Sequence, residues 1–281
     1  MKITEFNKYI EISELSYFSV EKIFDCGQCF RFDPDPTGGI SGVAMGSFYR
    51  FTQENESTVR IYNTSKNDFD QKLFRYLSLD RDYGIMNEDI ISRFGSDETI
   101  KKAVEAGKGI RILRQEAFET LISFIISQNN NIPRIKGLVE ALCRRCGRNI
   151  GEEKYAFPEP EAIVKLGIDG LRELKVGFRA PYIYDAALRV TEGATDLEII
   201  ASLDTLSAGE QLMKIKGVGP KVASCILLFG LDKTDTFPVD VWIKRVLDKY
   251  YPEGIDISTL GNYRGLAQQY LFYYERYNNN A

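Results

Sequence analysis

The strongest constraint on this chain lies in residues 212–243, LMKIKGVGPKVASCILLFGLDKTDTFPVDVWI. Leu212, Met213 and Ile215 close one apolar helical face, and Gly217-Val218-Gly219-Pro220 stops it. From Lys221 onward, Val222, Ala223, Cys225, Ile226 and Phe229 recur at helical spacing, which predicts a second helix. Two helices joined by a Gly-x-Gly turn form a helical hairpin. Gly217 and Gly219 let the backbone approach a partner, and the start of the second helix offers unpaired N–H groups to an anion. Pro220 suits the first turn, where no intrahelical acceptor waits for the N–H it lacks. A turn of this kind packs helices as readily as it binds phosphate. Lys221, on the first turn of the second helix, and Asp240, in Phe237-Pro238-Val239-Asp240-Val241, shift that balance towards function.

The rest of the composition narrows the chemistry. Histidine is absent from all 281 residues. A Ser-His-Asp or Cys-His nucleophile and a His-ligated metal are therefore excluded, and acid–base work falls to carboxylates, Lys, Tyr or Cys. Five cysteines, an odd number, suit a reducing compartment better than a disulfide framework. Cys26-x-x-Cys29 and Cys143-x-x-Cys146 have the spacing of a four-thiolate zinc site, but the pairs lie far apart in the chain without knuckle-type glycines. No metal and no cofactor is expected. The net charge of −4 argues against nucleic acid as a partner, whereas its distribution argues for it. Residues 101–150 carry ten Lys and Arg against four acidic residues, and 211–250 carry seven against four. A local basic face binds phosphates while the rest of the surface stays acidic. No apolar run is long enough for a membrane span, and the polar start MKITEFNKYI does not read as a signal peptide.

Residues 1–65 alternate short apolar runs with turns, which predicts an antiparallel sheet with strands at Cys29–Phe32, Ser47–Phe51 and Val59–Tyr62. Asp33-Pro34-Asp35-Pro36-Thr37-Gly38-Gly39 reads as a turn cluster. Residues 68–106 turn helical, and Gly107-Lys108-Gly109 marks a boundary. The reading is α+β, with an N-terminal antiparallel β-sheet domain with helices at 1–108 and an all-α domain at 109–281. Within the latter, the apolar run Glu116 to Ser127 predicts a buried helix that stops at Gln128-Asn129-Asn130-Asn131. Further helices are expected near 133–148, 160–166, 170–175, 181–192, 196–203, 207–215 and 263–277.

Hairpin, lysine and aspartate together resemble the helix-hairpin-helix DNA glycosylases, in the branch that also cleaves the DNA backbone. Four further stretches resemble its 8-oxoguanine DNA glycosylases of the Ogg type. They are Gly27-Gln28-Cys29-Phe30-Arg31-Phe32, Ser127 to Ile135, Gly177-Phe178-Arg179-Ala180 and Ala267-Gln268-Gln269-Tyr270-Leu271-Phe272. They follow the family's order over about residues 26–275. The resemblance implies excision of 8-oxoguanine from double-stranded DNA through a lysine Schiff base, with a weaker strand-nicking activity at the abasic site. It implies Lys221 as nucleophile and Asp240 as the carboxylate that stabilises the sugar cation. It implies a base pocket of Gly27, Cys225, Gln268 and Phe272, with the Gly27 carbonyl accepting from the N7–H that guanine lacks. DNA contacts fall to Asn129, which fills the vacated stack, to Phe178 as a wedge, and to Arg134 and Arg179 on the orphaned cytosine. Gly217, Gly219 and Trp242 belong to the phosphate side.

Departures accompany the match. Phe178 stands where the family usually has tyrosine, Trp242 where animal members have histidine, and Pro133 and Cys29 replace small residues. Two alternatives stay open: a bifunctional glycosylase for another damaged base, and a non-catalytic DNA-binding hairpin. The second needs neither Lys221 nor Asp240. The expected partner is double-stranded DNA containing oxidised guanine, with no membrane. The protein is expected to be a monomer in a bacterial cytoplasm, or nuclear if eukaryotic.

Overall fold

The computed structural model describes residues 1–94 and 97–278. It opens on a six-stranded antiparallel sheet of β1 (Lys2–Glu5), β2 (Tyr9–Ser13), β3 (Phe32–Pro34), β4 (Ile40–Ala44), β5 (Ser47–Asn55) and β6 (Thr58–Tyr62), in the order β1-β2-β6-β5-β4-β3. Side-chain alternation sets the register. Ile10 and Ile12 of β2 pair with Ile61 and Val59 of β6, and all four are buried on the inner face. On the outer face Arg60 bridges Glu11 and Glu54. Helix α1 (Val20–Phe24) packs on the inner face, where Phe24 stacks on Phe32 with ring centroids 4.1 Å apart.

The strand expected at Cys29–Phe32 starts only at Phe32 and runs into the segment that read as a turn. The reason is packing. Cys29 points into the core beneath the sheet and Phe30 into the core of the helical body, so this segment joins two cores instead of alternating between a core and water. Pro34 is tolerated because β3 is an edge strand, where its missing donor is not needed.

Helix α2 (Lys66–Asp68), a π-turn (Phe69–Leu73) and α3 (Phe74–Tyr76) finish covering the sheet, and α4 (Tyr83–Arg93) and α5 (Glu98–Gly107) follow. Although they precede the Gly107-Lys108-Gly109 break, α4 and α5 bury Tyr83, Met86, Ile90, Ile100 and Val104 in the helical core. That core is completed by α6 (Ala117–Ser127), α7 (Ile132–Cys146), α8 (Pro160–Glu173), α9 (Ala180–Thr191), α10 (Leu197–Ser202), α11 (Thr205–Leu212), α12 (Pro220–Phe229), α13 (Val241–Tyr250) and α14 (Arg264–Asn278). A two-stranded ribbon, β7 (Asn149–Gly151) and β8 (Lys154–Tyr155), which alternation did not foreshadow, follows α7. Gly167 breaks the helical dihedrals inside α8, as the two shorter runs around it predict. The last helix, α14, returns to lie along α5 within the helical core.

A buried polar network ties the two bodies together. The Gln28 side chain is fully buried; its amide donates to the carbonyls of Ile23 and Arg111 at 2.9 and 2.8 Å and accepts from Leu113 N–H at 2.8 Å. Arg111, 4% exposed, donates to the carbonyls of Tyr17, Ser16 and Ser78. Replacing Gln28 by Ala strands the Arg111 carbonyl and the Leu113 N–H and leaves the Ile23 carbonyl only the Cys26 thiol, at a cost of about 2–3 kcal/mol. The thermal midpoint of Gln28→Ala is expected to fall by roughly 4–12 °C in calorimetry.

Candidate active site

The junction between α6 and α7 spends three consecutive asparagines on three tasks. Asn130 Nδ2 donates to the Ile126 carbonyl at 3.2 Å, closing the end of α6, and Asn131 Oδ1 accepts from Arg134 N–H at 3.0 Å, capping α7. Asn129 takes a left-handed conformation at φ 48°, one that asparagine tolerates well, and its exposed side chain has no hydrogen bond among the described residues. Local capping chemistry thus turns the chain and leaves Asn129 projecting.

The hairpin between α11 and α12 sits on α9. Gly217 has φ 83°, and a Cβ there would lie 2.4 Å from the Tyr182 ring, so the position demands glycine. Asp185 of α9 accepts from Lys216 N–H at 2.9 Å and from Arg189 at 2.9 Å. Gly219 precedes α12 without a side-chain cap, leaving the first amides of that helix directed outward for an anion. Phe178, 53% exposed, stands on the turn before α9 and packs edge-on against Tyr182 at 6.2 Å. Hairpin and Phe178 are therefore mounted on one helix.

Between the bodies lies a cavity of about 710 Å³. Its wall gathers nine of the residues singled out from the sequence: Gly27, Asn129, Gly219, Lys221, Cys225, Asp240, Trp242, Gln268 and Phe272. Arg134, Phe178, Arg179 and Gly217 lie outside it. Lys221 stands on the first turn of α12, its Nζ 5.5 Å from the centre of the Phe124 ring, which stacks on Phe229. One turn on, Cys225 faces the same space. Asp240 caps α13, accepting from the N–H groups of Trp242 and Ile243 at 3.0 and 2.9 Å. On α14, Phe272 meets Trp242 edge-on at 6.4 Å. Gly27 has φ 76°, and a Cβ there would lie 3.1 Å from the Phe272 ring, so the backbone itself forms the surface opposite that ring.

Two features stand out electrostatically. Burial pushes the Asp240 carboxyl above its ordinary value, against the two helix amides and the nearby Lys221 amine, which pull it down. Gln268 is 3% exposed, and its Oε1 has no hydrogen-bond partner among the described residues. A buried, unpaired amide oxygen beside an open cavity is a polar group awaiting a donor. Residues that sequence reasoning missed support these. Gln269 donates to the Cys26 carbonyl at 2.8 Å and so anchors the Gly27 turn, while Phe30 and Phe124 floor the cavity. The doublet Gln268-Gln269 was the available signal: on a helix, adjacent residues face different ways, and here one serves the cavity and the other the loop.

A helix-hairpin-helix carrying a lysine, with a helix-capping aspartate on the same cavity wall, defines the class to which the sequence resemblance pointed. Family comparisons agree. Residues 10–121 match the 8-oxoguanine DNA glycosylase N-terminal domain, and residues 122–256 match the HhH-GPD superfamily of base excision DNA repair proteins. The structure of MBOgg1 in complex with a low-affinity DNA ligand has a TM-score of 0.93 and 38% identity, covering 99% of both chains. The Clostridium acetobutylicum 8-oxoguanine glycosylase/lyase, bound to double-stranded DNA with cytosine opposite 8-oxoG, has a TM-score of 0.91 and 37% identity, again over 99% of both chains. The probable N-glycosylase/DNA lyase of Methanothermobacter thermautotrophicus is 33% identical over 57% of this chain. The chain spans about half the length of the curated relatives it matches. It belongs to the Ogg-type 8-oxoguanine DNA glycosylases of the HhH-GPD superfamily.

Two outcomes follow from the electrostatics. A carboxyl whose folded pKa lies above its unfolded value costs stability when ionised; the cost is absent in acid, where both states are protonated, and grows as pH rises through the folded value. Asparagine caps a helix as well as aspartate. Asp240→Asn is therefore expected to match the wild type in thermal melts near pH 3 and to exceed it at pH 7, while base excision is lost. Separately, burial pushes Cys225 up to about 11, with Lys221 pulling it down and Asp240 pushing it up. Alkylation of Cys225 in the native protein at neutral pH, followed by mass spectrometry, should run about a hundredfold slower than in the unfolded chain.

Proposed function

We propose that the protein excises 8-oxoguanine from double-stranded DNA and then nicks the strand at the abasic site it creates. The observation that carries this reading is the buried, unpaired Gln268 amide oxygen in the same cavity as Lys221 and Asp240. A flipped purine inserted between Phe272 and Cys225 brings Watson–Crick edge donors to that oxygen, and the Gly27 carbonyl accepts the N7–H of the oxidised base. Loss of the base is the step the lysine drives. Its nitrogen bonds to C1′ as the C1′–N9 bond breaks; the base departs with the electron pair and takes up a proton. Opening of the sugar ring with loss of a proton from nitrogen gives the imine, and removal of a C2′ proton then expels the 3′-phosphate. A hydroxyl or water cannot form that imine. Asp240, fixed by its capping bonds, lends negative charge to the developing sugar cation. Asn129 fills the space the nucleotide leaves, Phe178 wedges the stack, and the uncapped start of α12 with Gly217 and Gly219 grips a phosphate. Trp242 borders that grip from α13. The protein acts on DNA as a monomer, in a bacterial cytoplasm or, in a eukaryote, in the nucleus.

The test is a duplex carrying one 8-oxoguanine. Borohydride is expected to trap a covalent protein–DNA adduct, and Lys221→Gln to abolish trapping and nicking while duplex affinity changes by less than about threefold. A trapped adduct with Lys221→Gln identifies a different amine as nucleophile. Phe272→Ala and Gln268→Ala are expected to slow base excision while sparing cleavage at a pre-formed abasic site; equal loss of both activities makes these residues structural. A cavity selective for another damaged base would show as faster release of that base from a matched set of duplexes.

A further inference from the structure

Helix α12 has a second face. Lys221 and Cys225 look into the cavity, whereas Ala223, Ser224 and Leu227 line a separate groove of about 590 Å³, and Pro220 borders both. Opposite α12 the groove is lined by Leu206, Gly209 and Met213, at i, i+3 and i+7 along α11 and its end, so they form one stripe. Nothing in the fold covers that stripe: Leu206 is 74% and Met213 42% exposed. Phe237 and Ile257 complete the apolar wall.

The chain around the groove carries one sign of charge. Residues 192–213 hold Glu192, Asp196, Glu198, Asp204 and Glu210, and residues 251–263 hold Glu253 and Asp256; neither stretch contains a Lys or an Arg. Arg264, the cation on the groove wall, is spent within the fold. Its Nε donates to the Asp235 carbonyl, and its Nη2 lies 3.8 Å from the Asp235 carboxylate. Glu210 is exposed, and its carboxylate has no hydrogen bond or ion pair among the described residues. It lies one turn beyond Leu206, so acidic and apolar surface adjoin on the same helix face.

We propose that this groove docks a basic amphipathic helix of a partner protein, its apolar residues seated on Leu206 and Met213 and its Lys and Arg side chains facing Glu210 and the acidic turn at residues 253–256. Charge complementarity selects that occupant. The acidic rims repel a DNA backbone and an anionic lipid surface alike. A second copy of this chain would have to offer its own basic segments, one of which carries the hairpin. A helix fits because the exposed stripe runs two helical turns, the length spanned by apolar anchors at i, i+3 or i+4, and i+7. Since Pro220 is shared, the docked helix packs behind the turn that carries Lys221 and leaves the cavity itself unfilled.

The probe is a fluorescein-labelled helical peptide of about eighteen residues, with leucines along one face and lysines on its flanks. Titrated with the full chain and followed by anisotropy, it should bind with a micromolar dissociation constant. A peptide of the same composition with its leucines scattered should bind about tenfold more weakly or worse. Leu206→Lys should weaken binding of the patterned peptide by about tenfold. Glu210→Lys should weaken it about threefold at low salt, a difference that vanishes near ~1 M salt. Both side chains are exposed and outside the cavity, so both variants should keep the wild-type melting temperature and rate of base excision. Bound peptide should slow amide exchange in α11 and at residues 253–260. The proposal is overturned if the scattered peptide binds as tightly, if Leu206→Lys binds like the wild type, or if the protection falls elsewhere. Dimerisation of the wild type that Leu206→Lys abolishes assigns the groove to a second copy, and binding to phosphatidylcholine vesicles that it abolishes assigns the groove to lipid; either result also overturns it.

Discussion

The structure depends on one buried glutamine. Gln28 holds the carbonyl of Ile23, at the foot of α1, to the connector at Arg111 and Leu113, and its own carbonyl accepts from Gln115 at 2.7 Å. Gly27 is its immediate neighbour, so the position of the cavity wall is set by how the sheet body is tied to the helical body. Gln269 adds a second tie, from α14 to the Cys26 carbonyl. A cavity built from a loop of one body and helices of another opens or closes with any slack between them. Fully partnered polar groups in a dry interior remove that slack, because each displacement strands a donor or an acceptor.

Much of this was legible in the sequence, for reasons that differ by element. The hairpin was readable because glycine, proline and helical periodicity report local backbone geometry, which needs no knowledge of distant partners. Alternation gave β5 and β6 for the same reason. The strand expected at Cys29–Phe32 failed because Cys29 and Phe30 serve two cores at once, a fact that periodicity along one segment does not encode. The break at Gly107-Lys108-Gly109 is a real bend, yet α4 and α5 before it pack with the helices after it. Core membership is decided by α14, whose return to α5 joins residues about 170 positions apart.

The site divides in the same way. Lys221 and Asp240 could be singled out with the hairpin and the loop after it, whereas Gln268 and Phe272 were named only through the family resemblance. What could not be read was which polar atoms stay unpaired. Gln268 and Gln269 are identical in sequence terms, and only the fold assigns one to the cavity and the other to the Cys26 carbonyl. Likewise Arg134 and Arg179 are equivalent on paper, and only the fold leaves the first exposed and buries the second. Asp240 caps α13, which fixes its direction, and its burial raises the energy of its charged form.

Helix α9 carries a consequence for the substrate. Phe178 rests on Tyr182, Tyr182 lies against Gly217, and Asp185 of the same helix holds the Lys216 amide. Under the proposed function, the ring that wedges the duplex and the hairpin that grips its backbone are thus mounted on one helix, which acts as a gauge between them. A gauge of fixed length imposes one curvature on whatever is clamped to it. The energy needed to reach that curvature belongs to the DNA and varies with its stacking and stiffness. On that proposed function, the sequence flanking a damaged base enters the rate of repair through mechanics, even where no side chain touches it.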